Sequence, residues 1–380
     1  MFVAPRLRTL ETAQSTRRAT WLELFYDLVY VVVVATLAHE LAAHVSLVGV
    51  LTFAGLFVPV WWSWVGVTLY NDRFDTDDLG HRLLTLLAML GAAALALSVH
   101  GALTGPAFAL SYVFLRALLI AQYVRVSRHV PLARSLCLHY AIGFSIAAAI
   151  WLGSLLVPVP LRFAVWAIAM AVDVGTPLTA RHHQSMLPVS DTHLPERIGL
   201  FMIVVLGEAV SAVVRGIETP RLEAFVGGAL GLTIAFALWW VYFENMDEHV
   251  VRRTRLAGQV WFYSHLPLAM GICIAAVGVE GLVSVPPGAP LDAATRWLLG
   301  GGLALCLASL ATIHATTAER AGPPLSRRRT ASRAASALGA LALAALPFPW
   351  PAAGFGAAMG LLAVLQVALD RRKALPTAAS

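Results

Sequence analysis

What most constrains this chain is the recurrence of apolar runs of about 20 residues, the length an α-helix needs to cross the hydrocarbon core of a bilayer. Such runs lie near 24–46, 48–70, 83–104, 106–124, 133–157 and 160–180, and again near 198–217, 224–243, 260–283, 296–318, 333–349 and 351–369. Within a bilayer the backbone must satisfy its own hydrogen bonds, which leaves helices or closed barrels. Barrel strands would be short and alternating, whereas these runs are long and continuous. The expected fold is all-α: a polytopic transmembrane helical bundle of about twelve spans. Composition agrees, with 59% hydrophobic and 13% charged residues, against about 25% charged in a soluble domain. No polar stretch is long enough for a separate soluble domain.

The loops test the span count independently. With the N-terminus placed inside, the inside segments hold 22 basic residues and the outside segments only Arg162, Arg215, Arg221 and Arg296. Such a split is a strong positive-inside signal. It predicts a cell-membrane protein with both termini cytoplasmic. The first run is too long for a signal-peptide core and carries Asp27, so no cleavage is expected. Of the 27 basic residues 26 are arginine, and most sit in loops between apolar runs. A nucleic-acid reader would gather them on one soluble face, so nucleic acid is not an expected partner; the lipid bilayer is. Cys137, Cys273 and Cys306 lie far apart inside apolar runs and read as small core residues.

Weak self-similarity divides the chain further. Glu23 opens the first span as Glu196 opens the seventh, and Trp61-Trp62 has a counterpart in Trp239-Trp240. Tyr70-Asn71-Asp72 parallels the stretch Phe243 to Asp247. With six spans per half, the copies would share one orientation as a 6+6 parallel repeat. The expected organisation is an N-terminal segment 1–20, a first half 21–190, a second half 191–370 and a tail 371–380.

Ionisable groups at membrane depth are costly, so each is a functional candidate. Glu23 and Asp27 stand four residues apart on one helical face, near the expected cytoplasmic end. Asp72, Asp75, Asp77 and Asp78 follow the second span, Glu196 and Arg197 open the seventh, Glu244, Asp247 and Glu248 leave the eighth, and His265 opens the ninth. Only Asp173 and Glu208 lie deeper. Simpler roles compete: Glu23 and Glu196 can complement helix dipoles, and Asp77 and Asp78 can be solvated loop charges. Arg116 is the natural structural partner for Asp27 or Glu208.

The stretch YNDRFDTDDLGHR (70–82) is the most distinctive. Its oxygen side chains suit a hard cation such as Mg2+, which often bridges to phosphate. Asn71-Asp72-x-x-Asp75 has the N-D-x-x-D form by which membrane prenyltransferases hold magnesium diphosphate, and Glu244 with Asp247 can complete such a site. The same residues loosely match the D-R-x-G-R-R loop motif of major-facilitator transporters, although Gly80 stands too far from Asp72-Arg73. At the other end His39, Glu40 and His44, with His100 and Glu280, form a weaker zinc candidate. The only lysine, Lys373, lies in the tail, which argues against a retinal pigment.

Several of these segments resemble the bacterial low temperature requirement protein A family: WLELFYDLVYV (21–31), YNDRFDTDDLGHRL (70–83), ERIGLFMIVVLGEAV (196–210), and the ENMDEH run (244–249) with Ser264-His265. The resemblance covers roughly residues 20–320 and implies a multi-pass membrane protein. It supplies no settled activity, so two readings stand. In the first, a membrane enzyme acts on an isoprenoid or other lipid diphosphate, a hydrophobic small molecule. Asp72, Asp75, Glu244 and Asp247 would hold Mg2+, Glu23, Asp27 and Glu208 would act as acid or base, and Asn71, Arg82, Glu196, Arg197, His265 and Trp62 would bind substrate. In the second, a proton- or cation-coupled transporter uses Asp27 and Glu208 as coupling groups.

Overall fold

The computed structural model describes residues 5–7, 19–75, 78–184, 187, 193–217, 221–244, 249–251, 255–286, 288–319 and 323–371. Almost all of these are helical. In order, α1 is Trp21–Ala43, α2 Leu47–Arg73, α3 Leu79–Leu97, α4 Ala107–His129, α5 Arg134–Gly153 and α6 Leu161–Thr179. The short α7 (Arg181–Gln184) precedes α8 (His193–Gly216) and α9 (Leu222–Phe243). Then come α10 (Arg255–Tyr263), α11 (His265–Ser284), α12 (Ala293–Thr316), α13 (Pro323–Ala345) and α14 (Ala352–Arg371). Two tiny antiparallel ribbons join β1 (Arg6–Leu7) to β2 (Phe74–Asp75), and β3 (His249–Val251) to β4 (Thr317–Glu319).

Among the described residues eleven helices are long and apolar enough to cross a membrane. The protein is a helical membrane bundle. The segment expected as an eleventh span, 333–349, falls in α13 and is not one of the eleven, because Arg327, Arg328, Arg329 and Arg333 occupy its first half. Yet α13 runs antiparallel to α14, which does qualify. Arg329 and Arg333 reach Asp370 at 3.1 and 2.8 Å, and Gln366 donates to Ser336 at 2.9 Å. From Arg333 to Ala345 this pairing carries α13 about 18 Å along its partner at 1.5 Å per residue. The arginines are thus ion-paired at one end of a helix hairpin, and the short apolar remainder runs beside the partner helix.

Two compact units are distinguished: Met1–Glu40 with Gly55–Phe201, and Leu41–Ala54 with Met202–Ser380. In the first, α3 packs on α4, α4 on α5 and α5 on α6. In the second, α12 lies between α11 and α13, while α9 packs on α11 and α14. Helices in lipid gain little from the hydrophobic effect when they associate, so small residues that admit close backbone contact mark their interfaces. Gly278 and Gly302 show this between α11 and α12. A Cβ at Gly278 would stand 2.4 Å from the Leu299 nitrogen, and one at Gly302 2.4 Å from that of Ala275.

Candidate functional site

The first unit buries a cluster of charged side chains supplied by α1, α2 and α8. Thr20 and Glu23 form a capping box at the start of α1. The Thr20 amide donates to Glu23 Oε2 at 2.8 Å and the Glu23 amide to Thr20 Oγ1 at 3.3 Å, satisfying two donors that a helix start leaves open. This local role leaves Glu23 Oε1 turned toward α8, and Asp27 follows one turn later on the same face. On α8, His193 and Arg197 repeat the four-residue spacing. The two faces meet as matched pairs. Arg197 donates from both terminal nitrogens to both oxygens of Asp27, each at 2.7 Å, and His193 Nε2 lies 3.6 Å from Glu23 Oε1.

The second helix closes the cluster. Asp72, in its last turn, places Oδ1 3.1 Å from His193 Nδ1, and the Trp64 indole N–H donates to Asp27 Oδ1 at 2.7 Å. The Trp64 ring also lies 6.0 Å from the Arg197 guanidinium, within cation–π reach. Glu23, Asp27, Asp72, His193 and Arg197 are all 4% exposed or less. With neutral His193 these five side chains carry two excess negative charges, and protonating the imidazole reduces the excess to one.

A line of polar groups continues inside the same unit. Tyr26 donates to Tyr30 at 3.1 Å, and the Tyr30 hydroxyl bonds Ser63 at 2.8 Å. Arg116 lies 2.9 Å from Asp173 and donates to the Tyr112 hydroxyl, which itself donates to Asp173. This corrects the expectation that Arg116 partners Asp27 or Glu208. Its carboxylate comes from α6, because α5 packs on both α4 and α6 and draws the two helices together.

The remaining candidates are scattered. Glu208 belongs to the second unit, where Arg215 donates to it at 2.6 Å and to Glu280 at 3.0 Å. His265 is buried there too, its Nδ1 2.8 Å from the Trp261 carbonyl, with its ring 5.7 Å from Tyr242. Glu244 is exposed, and Asp77, Asp247 and Glu248 lie outside the described residues. Asp75 is placed by its backbone, opposite Arg6 in the β1–β2 ribbon. Glu196 is half-buried, and the Ala19 amide approaches it at 3.5 Å. Asn71 and Trp62 are buried, while Arg82 is exposed.

Asp78 is no solvated loop charge. It is 4% exposed, caps α3 by accepting from the His81 amide at 3.0 Å, and takes two hydrogen bonds from Arg125. Of the zinc candidates, Glu40 bonds His100, whereas Glu280 holds Arg215. Among the described residues no group of three or more His, Cys, Asp or Glu side chains is arranged to hold a metal ion. The three cysteines are buried free thiols.

His193 is the member of the cluster that the sequence reading passed over. It lies in a polar stretch ahead of an apolar run that begins only near residue 198. The available signal was spacing, since His193 stands four residues before Arg197 as Glu23 stands four before Asp27.

Fold and site together define a multi-pass helical membrane protein with a dry ionic cluster at one end of its first unit. The family model for bacterial low temperature requirement A protein (LtrA) matches residues 18–369, and the chain belongs to that family. It is also 27% identical over 303 residues to uncharacterized protein RA0937 of Rhizobium meliloti (strain 1021), a match covering 74% of this chain and 73% of that protein.

Proposed function

We propose that this protein is a proton-coupled membrane transporter whose proton site is the Glu23–His193–Asp72 group. The observation that carries the reading is the position of His193. It opens α8 while its two ring nitrogens face carboxylates from α1 and α2. One proton on this ring therefore changes the attraction among three spanning helices. Histidine is the side chain whose charge changes near neutral pH, and coupled transport requires a binding event that favours one helix packing over another. The neighbouring Asp27–Arg197 pair holds α1 to α8 in either protonation state. From Glu23 to Tyr30 the polar line extends about 10 Å inward along α1, at 1.5 Å per residue, and intramembrane ionisable groups mark ion and proton paths. By the distribution of basic loops, the proton site faces the cytoplasm.

The competing reading, a Mg2+-dependent enzyme acting on a lipid diphosphate, is favoured by Asp72 lying in the last turn of α2, shortly before the Asp75 backbone. In that reading Mg2+ and His193 compete for Asp72, so cation binding would have to release the imidazole.

Purified protein in liposomes with an internal pH dye separates the two. Wild type should carry protons down an imposed gradient when a co-transported solute from a panel of small metabolites is supplied. His193→Gln should slow that flux by at least about tenfold, the loss expected when a coupling group is removed, without altering the melting behaviour to match. Proton impermeability under every solute, together with Mg2+-dependent release of diphosphate from a prenyl diphosphate, would replace the transporter by the enzyme.

A further inference from the structure

Five described arginines are buried: Arg73, Arg116, Arg197, Arg329 and Arg333. Four of them grip a carboxylate, namely Asp173, Asp27 and, for the last two, Asp370. Among the described residues Arg73 grips no carboxylate. It is 4% exposed, and its Nε and one terminal nitrogen are buried without a hydrogen-bond partner among the described residues. A buried guanidinium without an acceptor is an uncompensated charge, which folded proteins rarely leave in place. The neighbouring carboxylate, Asp72, bonds His193 and gives Arg73 a charge nearby but no hydrogen bond.

The surroundings of Arg73 are aromatic rather than acidic. It closes α2 next to a core cluster that includes Tyr70, Phe74, Tyr123, Tyr140 and Phe144, and its electrostatic neighbours are Tyr140, Tyr123, Asp72 and Cys137, of which only Asp72 is a carboxylate. The Tyr140 hydroxyl already accepts from Gln184 at 2.7 Å, so its own proton is available to a further acceptor. Arg73 is also the last residue of α2, a helix long and apolar enough to cross a membrane.

We propose that Arg73 is the anchor of an oxyanion site that takes a phosphate group, either of a phospholipid headgroup or of free phosphate. A guanidinium offers five donors in a planar fork that matches phosphate oxygens, and charge-assisted bonds of this kind are the strong ones. The bound group supplies the hydrogen-bond acceptor that Arg73 lacks among the described residues. This assignment is independent of the proton site, because it concerns binding alone.

The test uses the full chain, delipidated in dodecyl maltoside. Its melting midpoint is followed while inorganic phosphate is titrated in one arm and short-chain phosphatidylglycerol in the other. A ligand that binds only the folded state must raise the midpoint in proportion to its occupancy. Wild type should respond in at least one arm, and the responding arm names the source. Arg73→Gln should need at least about tenfold more ligand for the same rise, as expected when one member of a buried charged hydrogen-bonded pair is removed. Arg73→Lys, which keeps the charge but loses the fork, should fall between them and guards against a variant that fails to fold. The exposed Arg328→Gln should behave as wild type. A wild type indifferent to both ligands would overturn the assignment, as would an Arg73→Gln protein that responds like wild type.

Discussion

Two buried carboxylates, one in each unit, are neutralised differently. In the first, Asp27 and Arg197 are matched oxygen for nitrogen with almost no water contact. In the second, Glu208 is as buried as Asp27, but the Arg215 side chain that holds it is 31% exposed and shared with Glu280 at 22%. The first arrangement has no solvent to fall back on, so each charge depends on its partner. The second keeps a cation near the surface that water and salt can screen. Buried ion pairs say little about stability while intact and a great deal once broken, so the comparison turns on what happens when one member is lost.

The largest effect should come from Arg197→Gln, which leaves Asp27 charged, buried and without its cation. A loss of about 3–5 kcal/mol is expected for breaking a buried pair, read as unfolding in detergent. Pairing Asp27→Leu with Arg197→Met should recover most of it, because a well-packed apolar pair carries no desolvation cost. If the single variant melts like wild type, the first unit is wetter than its geometry implies and the contrast collapses.

A smaller cost follows at His193. His193→Gln keeps a donor and an acceptor but removes the titratable ring, so stability should fall by about 1–3 kcal/mol, the range for a disturbed buried hydrogen-bonded group. Proton flux should fall far more than stability. Equal losses in both would make His193 a structural tie and not a proton site.

In the second unit Arg215→Gln should cost less than Arg197→Gln, because the partly exposed cation it removes is already screened by water, and raising salt should mimic part of the change in wild type. A cost matching that of Arg197→Gln would erase the distinction between the two sites.

Mildest of all is Asp292, which caps α12 by accepting from the Thr295 amide at 2.8 Å and the Thr295 hydroxyl at 2.6 Å. Partial burial pushes its carboxyl up, but these hydrogen bonds outweigh it and hold the group below the usual carboxylate range. A depressed folded value means that its contribution is complete above the unfolded value of about 3.9 and is lost as pH falls through the lower folded value. Asp292→Asn, an equally good cap, should change the melting midpoint little at pH 7 and remove this part of the acid sensitivity. An unchanged acid profile would show that the cap contributes nothing through charge.

Much of the site was legible from particular residues. Asp27 stood out because an ionisable group inside an apolar run is expensive, Glu23, Asp72 and Arg197 because they stand at the ends of such runs, and the i, i+4 spacing of Glu23 and Asp27 put them on one face. Their pairing was not legible. Asp27 and Arg197 are 170 residues apart, and nothing local distinguishes Arg197 from Arg116 as a partner. The two tryptophan pairs also differ in placement: Trp61 and Trp62 are buried, whereas Trp239 is 47% exposed.

The sequence by itself determined that this is a helical membrane protein, because a bilayer accepts only backbones that satisfy their own hydrogen bonds and twenty apolar residues make one helix long enough to cross. It also determined which few residues are costly enough to demand a partner. Only the tertiary structure decided who that partner is. It joined Asp27 to Arg197, Arg116 to Asp173 and Asp72 to His193, and it left Arg73 with no acceptor among the described residues. The reason is physical: periodicity fixes which face of a helix a charge occupies, but which two faces meet depends on how small residues and ridges let the helices pack, and that information is spread over the whole chain.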